Sequence, residues 1–401
     1  MFDEILFYST VYVSLFLSIF WFVTHFTSQH EPPRKKGSFP SLSVLVPAFN
    51  EERNIGRCIR SLLAQRYPGL KIIVVDDGSN DNTLRVAQRM TKKEKNMTVL
   101  TKKNGGKSSA LNLGLRRVET ELFGFIDADT FLSKGALRNM VRYIDNKTAS
   151  VIAVIKPDHV ENSIEKLQKI EYMVSSFTRK LMTVLNSLYY TPGFALYKTA
   201  LVKKLGGFDE KNIAEDLEIG LRLKNKGYTI ENSLEDYAYT KVPNTFMSLF
   251  AQRMRWYRGY IYNSKKYAHL FFNNKFGDLG VLVLPFQYIL LGLLVPLFIY
   301  GAYSIVSAVV KVLINVSLVG FDAAYFLTTA RLDLLTPTTF FFTAIVVAFV
   351  LMIKLSEYRV KSTSTIIEYA IYLVVYPFLN MIFWVAAFAY ELARKERRWN
   401  S

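Results

Sequence analysis

Hydrophobic and polar positions divide the chain into regions of different periodicity. Residues 6–26 form one uncharged apolar run, long enough to cross a hydrocarbon core of about 30 Å. From about 40 to 240, short apolar runs alternate with helical patterns. Leu42–Val46, Lys71–Val75, Met97–Thr101, Leu122–Ile126 and Val151–Ile155 predict strands. Asn54–Gln65, Asn82–Met90 and residues 107–117 predict helices. Apolar strands alternating with helices imply a parallel or mixed sheet covered on both faces. Residues 163–188 place apolar side chains at 164, 167, 170, 174, 177, 181, 185 and 188, the spacing of an amphipathic helix. Residues 245–262 repeat that pattern, with Phe246, Leu249, Phe250, Trp256, Tyr257, Tyr260 and Ile261 opposed by Gln252, Arg255 and Arg258. Basic and aromatic residues on one amphipathic helix ahead of an apolar region predict an interfacial helix.

The stretch 279–391 is apolar again, with spans expected near 279–301, 337–355 and 366–391. A further span over 302–322 would carry Lys311, at a cost of about 2.5–3.5 kcal/mol near mid-bilayer. Four spans are therefore expected in all, with residues 312–334 amphipathic or re-entrant. The resulting organisation is a transmembrane helix over 1–28, a linker over 29–41 and an α/β domain over 42–240. Interfacial helices follow over 241–275, a helical membrane region over 276–392 and a basic tail over 393–401.

Composition agrees with a membrane protein: 51% of the 401 residues are hydrophobic. The net charge of +17 could suggest nucleic acid, but its placement argues otherwise. Arg34-Lys35-Lys36 follows the first apolar run and Arg394-Lys395-Glu396-Arg397-Arg398 the last. Juxtamembrane Lys and Arg favour the cytoplasmic face and anionic lipid, so the central domain is expected in the cytoplasm of an integral membrane protein, with no nucleic-acid partner. Met1-Phe2-Asp3-Glu4 is acidic, unlike a signal peptide. The single cysteine, Cys58, excludes an internal disulfide framework and sits in a helical apolar pattern. Four scattered histidines offer no zinc spacing.

The candidate chemistry lies at strand ends. Pro47-Ala48-Phe49-Asn50-Glu51 follows the first strand, Asp76-Asp77-Gly78-Ser79 the second and Asp127-Ala128-Asp129 the fourth. Open α/β sheets bind ligands at that edge. Read as an extension of the strand, Asp127 and Asp129 share one side of the pleat. Two adjacent carboxylates repel unless a cation lies between them, and hard oxygen ligands suit Mg²⁺ or Mn²⁺ beside a diphosphate.

Taken together, seven ordered clusters resemble the family 2 glycosyltransferases, in particular their membrane-embedded processive branch of hyaluronan, chitin, cellulose and poly-N-acetylglucosamine synthases. The clusters are Val46–Glu51, Asp76–Thr83, Gly105–Asn112, Asp127-Ala128-Asp129, Thr191-Pro192-Gly193, Glu215-Asp216 and Gln252-Arg253-Met254-Arg255-Trp256. The resemblance implies a GT-A fold, a Rossmann-like mixed sheet, with a helical transmembrane region. It also implies a UDP-sugar donor. Pro47, Ala48, Asn50 and Glu51 would hold the nucleobase and Asp77 the uridine. Gly106 would admit close backbone approach, and Lys107 would face the diphosphate. Asp129 would ligate the metal, with Asp127 on ribose or metal, and Asp216 would be the general base, with Glu215 as the fallback. Thr191, Pro192, Gly193, Gln252, Arg255 and Trp256 would serve acceptor and diphosphate, with Trp256 placed to stack a sugar. The amphipathic helix over 163–188 becomes a candidate wall of the acceptor cleft.

Three functions are compatible with these residues. One is an inverting transferase that extends a polysaccharide from a UDP-sugar such as UDP-N-acetylglucosamine. Another adds a single sugar to a polyprenyl or lipid-linked acceptor. A catalytically silent membrane scaffold is the third, and retention of Asp127, Asp129, Lys107 and Asp216 argues against it.

Overall fold

A computed structural model describes residues 2–27, 39–92, 94–319 and 337–393. The basic clusters at 34–36 and 394–398 lie outside them, as do most of the expected linker and residues 320–336.

The first apolar run is helix α1 (Phe2–Thr27). The central domain then runs β1 (Leu42–Ala48), α2 (Ile55–Leu63), β2 (Lys71–Asp76), α3 (Thr83–Thr91), β3 (Met97–Thr101), α4 (Lys107–Arg117), β4 (Leu122–Phe125), β5 (Phe131–Leu132) and α5 (Ala136–Met140). It continues with β6 (Thr148–Pro157), α6 (Ser163–Val184), β7 (Ala195–Lys198), α7 (Thr199–Lys204), α8 (Glu215–Asn225) and β8 (Thr229–Thr240). The last helices are α9 (Phe246–Lys266), α10 (Leu284–Val319), α11 (Pro337–Val360) and α12 (Ile366–Leu392).

The strands form one mixed sheet in the order β3-β2-β1-β4-β7-β6-β8-β5. Strands β3, β2, β1 and β4 are mutually parallel, and β7 pairs antiparallel with both β4 and β6. Every residue of β1 is buried, because alternate side chains enter two cores. Val44 and Val46 face Ile55, Ile59 and Leu62 of α2, whereas Leu45 joins Ala110, Leu111 and Leu115 of α4. Cys58 is buried in the first core and packs beneath the acidic turn, its thiol 3.7 Å from the Asp127 carbonyl oxygen.

Three of the long helices begin where side chains satisfy their first N–H groups. Asn162 with Glu165, Thr245 with Ser248 and Thr365 with Glu368 form reciprocal capping pairs at α6, α9 and α12. The amphipathic pattern expected to run to residue 188 stops as helix at Val184, and the chain turns there to bring Tyr189 and Tyr190 toward the sheet edge.

Among the described residues, three helical stretches are long and apolar enough to cross a membrane: Glu4–Thr27, Leu279–Leu318 and Ile366–Leu392. The expected span at 279–301 does not end there. Helix α10 continues through Pro296 to Val319, 36 residues, or about 54 Å at 1.5 Å per residue. The part of the expected re-entrant segment before residue 320 is therefore a continuation of this helix. The expected span at 337–355 is helical within α11. The central sheet is seated on these helices: Phe177 and Leu181 of α6 share a core with Ile353 and Val360 of α11 and Tyr372 and Tyr376 of α12.

Candidate active site

The loops after β1 and β2 are tied together by their own polar residues. Asn50 adopts a left-handed conformation with φ 56°, its N–H donates to Ser79 Oγ at 3.0 Å, and its Oδ1 accepts from Asn80 N–H at 2.9 Å. Glu51 N–H donates to Thr83 Oγ1 at 2.7 Å. Asp77 is nearly buried and accepts from Lys102 Nζ at 2.7 Å and Gly106 N–H at 2.8 Å. Gly106 caps α4 with φ 87°, a region that disfavours side chains with a Cβ. Its amide thus holds Asp77.

The acidic pair differs from the expected pleat. Strand β4 ends at Phe125, opposite Ala195, and Asp127-Ala128-Asp129 form a turn closed by Thr130 N–H donating to the Asp127 carbonyl at 2.9 Å. Strand alternation does not extend past the last ladder pair, so turn geometry aims these carboxylates. Lys107 places its ammonium 2.5 Å from Asp127 Oδ1 and 2.8 Å from Glu215 Oε1. It bridges the acidic turn to α8, so its charge is committed within the site. Burial works against the Lys107 ammonium, but Asp127 and Glu215 outweigh it and raise its pKa. Asp129 is different: burial, Asp127 and Glu51 together push its carboxyl up to about 7. Three acids therefore crowd one corner. Among the described residues no group of three or more His, Cys, Asp or Glu is arranged to hold a metal ion. Two carboxylates beside a diphosphate nonetheless fit Mg²⁺ or Mn²⁺, which take one or two protein carboxylates plus phosphate oxygens.

Asp216 lies in the first turn of α8. Its backbone oxygen accepts from Thr191 N–H at 3.1 Å and Thr191 Oγ1 at 2.8 Å, while Tyr197 donates to Thr191 Oγ1 at 2.7 Å. Thr191 is fully buried and lies outside the cavity lining, so it anchors Asp216 instead of touching acceptor or diphosphate as expected. Burial and Glu215 push the Asp216 carboxyl up to about 6, against the pull of Lys107 and Arg255. Glu215 responds oppositely: burial raises it, but Lys107 and Arg255 prevail and hold it below the usual carboxylate range. One acid is thus locked as a counterion while its neighbour is poised to exchange a proton, a division typical of acid–base sites.

One cavity of about 560 Å³ gathers Pro47, Ala48, Glu51, Asp77, Lys107, Asp127, Asp129, Pro192, Gly193, Glu215, Asp216, Gln252, Arg255 and Trp256. Of the expected residues, Asn50, Gly106 and Thr191 support the lining from outside it. The helix expected over 163–188 does line the cavity, through residues not singled out in the sequence, and α12 adds one more. Glu171, Tyr172, Ser175 and Arg179 project from α6 and Trp384 from α12. Tyr257 stacks face to face on Trp384 with ring centroids 4.3 Å apart. Arg253 is fully buried, its guanidinium 4.1 Å from the Trp256 ring centroid and bonded to Glu171 and Gln252. The Gln252–Trp256 cluster includes Arg253, to which the sequence assigns no role. The available signal was a basic residue on the same helical face as the aromatic stripe. Arg258, expected on the polar face, pairs at 2.8 Å with Glu391 of α12.

Residues 43–206 match the profile described as "Glycosyl transferase family 2". The chain is 27% identical over 272 residues to the poly-beta-1,6-N-acetyl-D-glucosamine synthase of Staphylococcus aureus strain COL, covering 64% of this chain and 65% of that protein. It is 27% identical over 273 residues to the Staphylococcus epidermidis synthase of the same name, with the same coverage. The match thus spans slightly under two thirds of these relatives' length. In fold, the chain is similar to the mannosyltransferase PcManGT from Pyrobaculum calidifontis, solved in complex with GDP-Man and Mn²⁺. That likeness has a TM-score of 0.56 at 20% identity, over 87% of this chain and 96% of the other. The match to residues 43–206, laid over this cavity, makes the central domain similar to the family 2 glycosyltransferases, with a GT-A fold beside helices apolar enough to span a membrane.

Proposed function

We propose that the chain is an inverting transferase that extends a polysaccharide from a UDP-sugar, with UDP-N-acetylglucosamine the first donor to test. The catalytic domain would face the cytoplasm. The observation that carries this reading is the continuity of one cavity from the nucleotide loops, past Asp216, to the aromatic wall of Trp256, Tyr257 and Trp384. A chain-extending enzyme must hold its product while donor exchanges, and apolar sugar faces pack on aromatic rings. The poly-beta-1,6-N-acetyl-D-glucosamine synthase activity named for the staphylococcal relatives supports the choice of sugar.

In this reading the Pro47–Glu51 loop and Asp77 shape the nucleoside pocket. Asp129, with Asp127, would hold a divalent cation beside the diphosphate. When bound, that ion supplies Lewis-acid stabilisation of the leaving diphosphate. Arg255 offers a planar donor fork to the same phosphates. Asp216 accepts the proton of the acceptor hydroxyl as its oxygen forms a bond to the sugar's C1. The bond from C1 to the diphosphate oxygen breaks, and its electron pair leaves with UDP. Lys107 keeps the metal turn and the base helix in register.

The experiment is product analysis. Purified full-length protein is incubated with radiolabelled UDP-sugars and Mg²⁺ or Mn²⁺, and product size is resolved. A ladder or long polymer supports chain extension. A product of one added sugar on a lipid would replace this reading with the lipid-acceptor function. Turnover with GDP-sugars alone would overturn the donor assignment.

A further inference from the structure

A second cavity, of about 300 Å³, lies between the end of β6, the first half of α6 and the segment joining α11 to α12. Lys156, Asp158, His159, Lys169, Val360 and Ser362 are among its lining residues. We propose that this cavity is an anion site that takes a phosphate group, carried by a phospholipid headgroup or by a soluble phosphate.

The argument begins with unbalanced charge. Lys156 donates to the Lys361 carbonyl at 3.1 Å and lies 3.8 Å from the Tyr237 ring centroid. Lys169 donates to the Thr363 carbonyl. Each ammonium has three N–H donors, so these contacts leave capacity on both. Among the described residues neither lysine forms an ion pair. The nearby acids have their contact partners elsewhere: Asp158 accepts from Arg57 and lies 3.5 Å from His159, and Glu368, which also feels the Lys169 charge, pairs with Lys166 at 3.2 Å. Burial, Lys169 and Lys361 together lower the Lys156 pKa to about 8, as expected where like charges converge without a counterion.

The ligand class follows from geometry. Two ammonium groups on separate elements, a serine at the wall and a neighbouring histidine suit a compact multi-oxygen anion, since phosphate accepts several charge-assisted hydrogen bonds at once. The one carboxylate in the lining, Asp158, is held by Arg57 and not by either lysine. Its position suits a lipid headgroup, because the joining segment links two apolar helices and starts at Lys361, one residue after Val360 ends α11. His159, 77% exposed, marks the open rim. Ile155 lines both this cavity and the catalytic one, so an occupant would abut the transferase site.

The test uses full-length protein in neutral detergent and three probes: inorganic phosphate, dioctanoyl phosphatidylglycerol and dioctanoylglycerol. Lysines of the wild-type protein are acetylated under limiting reagent and quantified by mass spectrometry. Phosphate-bearing probes should protect Lys156 and Lys169 and leave Lys71, which is 55% exposed, unchanged. Protection by the phospholipid alone assigns a headgroup, and protection by inorganic phosphate alone a soluble ligand. Replacing both lysines (K156Q/K169Q) should weaken probe binding roughly thirtyfold, taking one juxtamembrane-type contribution per lysine, whereas K156R/K169R should retain it. Absence of protection by either phosphate-bearing probe, or equal protection by dioctanoylglycerol, would overturn the proposal. Since protection is read on wild-type protein, this holds even if K156Q/K169Q fails to fold.

Discussion

Replacing Asp216 by Asn isolates the proton-transfer step from everything else the residue does. The backbone oxygen that anchors it to Thr191 is unchanged, and Asn Oδ1 can still accept from Leu217 N–H, now at 2.8 Å from Asp216 Oδ1. Shape and the start of α8 are therefore kept, and only the base is removed. General-base catalysis contributes about 10²- to 10⁴-fold, which is roughly 3–5 kcal/mol of barrier at 1.36 kcal/mol per decade. Because burial and Glu215 raise the Asp216 carboxyl to about 6, the wild-type rate should also carry an acid limb. Above that pH the carboxylate is ionised and competent. Below it the group is protonated, and the rate should fall about tenfold per pH unit. The assay is initial-rate UDP release between pH 4.5 and 8 at saturating donor, with donor binding measured in parallel by calorimetry. Asp216→Asn should lose at least a hundredfold in kcat, keep its donor Kd within about threefold, and abolish the limb near pH 6. A variant within tenfold of wild type, or one that retains the limb, would refute the assignment and move the base to another carboxylate.

Asp129→Asn should abolish Mn²⁺-dependent transfer and the Mn²⁺ binding seen by paramagnetic resonance; unchanged metal affinity would remove Asp129 from the ligand set. Arg253→Met leaves Glu171 without its buried partner, and breaking such a pair costs about 3–5 kcal/mol, read as a loss of thermal stability. A change below 1 kcal/mol would mean that Glu171 is solvated in the cavity. Gly220→Ala would place a Cβ 2.3 Å from the Tyr189 carbonyl oxygen. Such overpacking costs about 1–3 kcal/mol and displaces the helix that carries Asp216, so kcat should fall more than donor affinity. Full activity would show that α8 has room to shift.

The half of the site proposed to hold the nucleotide is legible because its chemistry is local. Pro47–Glu51, Asp76–Ser79 and Asp127–Asp129 each follow an apolar strand directly, and parallel strands bring such ends to one edge whatever the details of the loops. Register within those loops was less accessible. Alternation along β4 suggested a shared pleat for Asp127 and Asp129, yet the ladder stops at Phe125 and a turn takes over. The acceptor side was harder for a different reason. Arg253 matters through Glu171, 82 residues away in sequence, and Trp384 sits inside an apolar run whose composition signals lipid contact. Pairings across such distances are settled by tertiary packing, which no periodicity encodes. Helix α10 shows the same limit: mean composition identifies an apolar helix, but it does not fix where that helix stops.

The stack of Tyr257 on Trp384 also bears on the order of biosynthesis. Ribosomes deliver Asp127, Asp129 and Asp216 well before residue 384, so a nascent chain can complete its nucleotide pocket while one wall of the acceptor cleft is still unmade. The last apolar helix then closes that wall, through Trp384 on Tyr257 and Glu391 on Arg258. Under the proposed chain extension, competence to hold a growing product is thereby contingent on α12 having been synthesised and docked. A chain truncated before that helix would retain donor recognition and lack its product clamp.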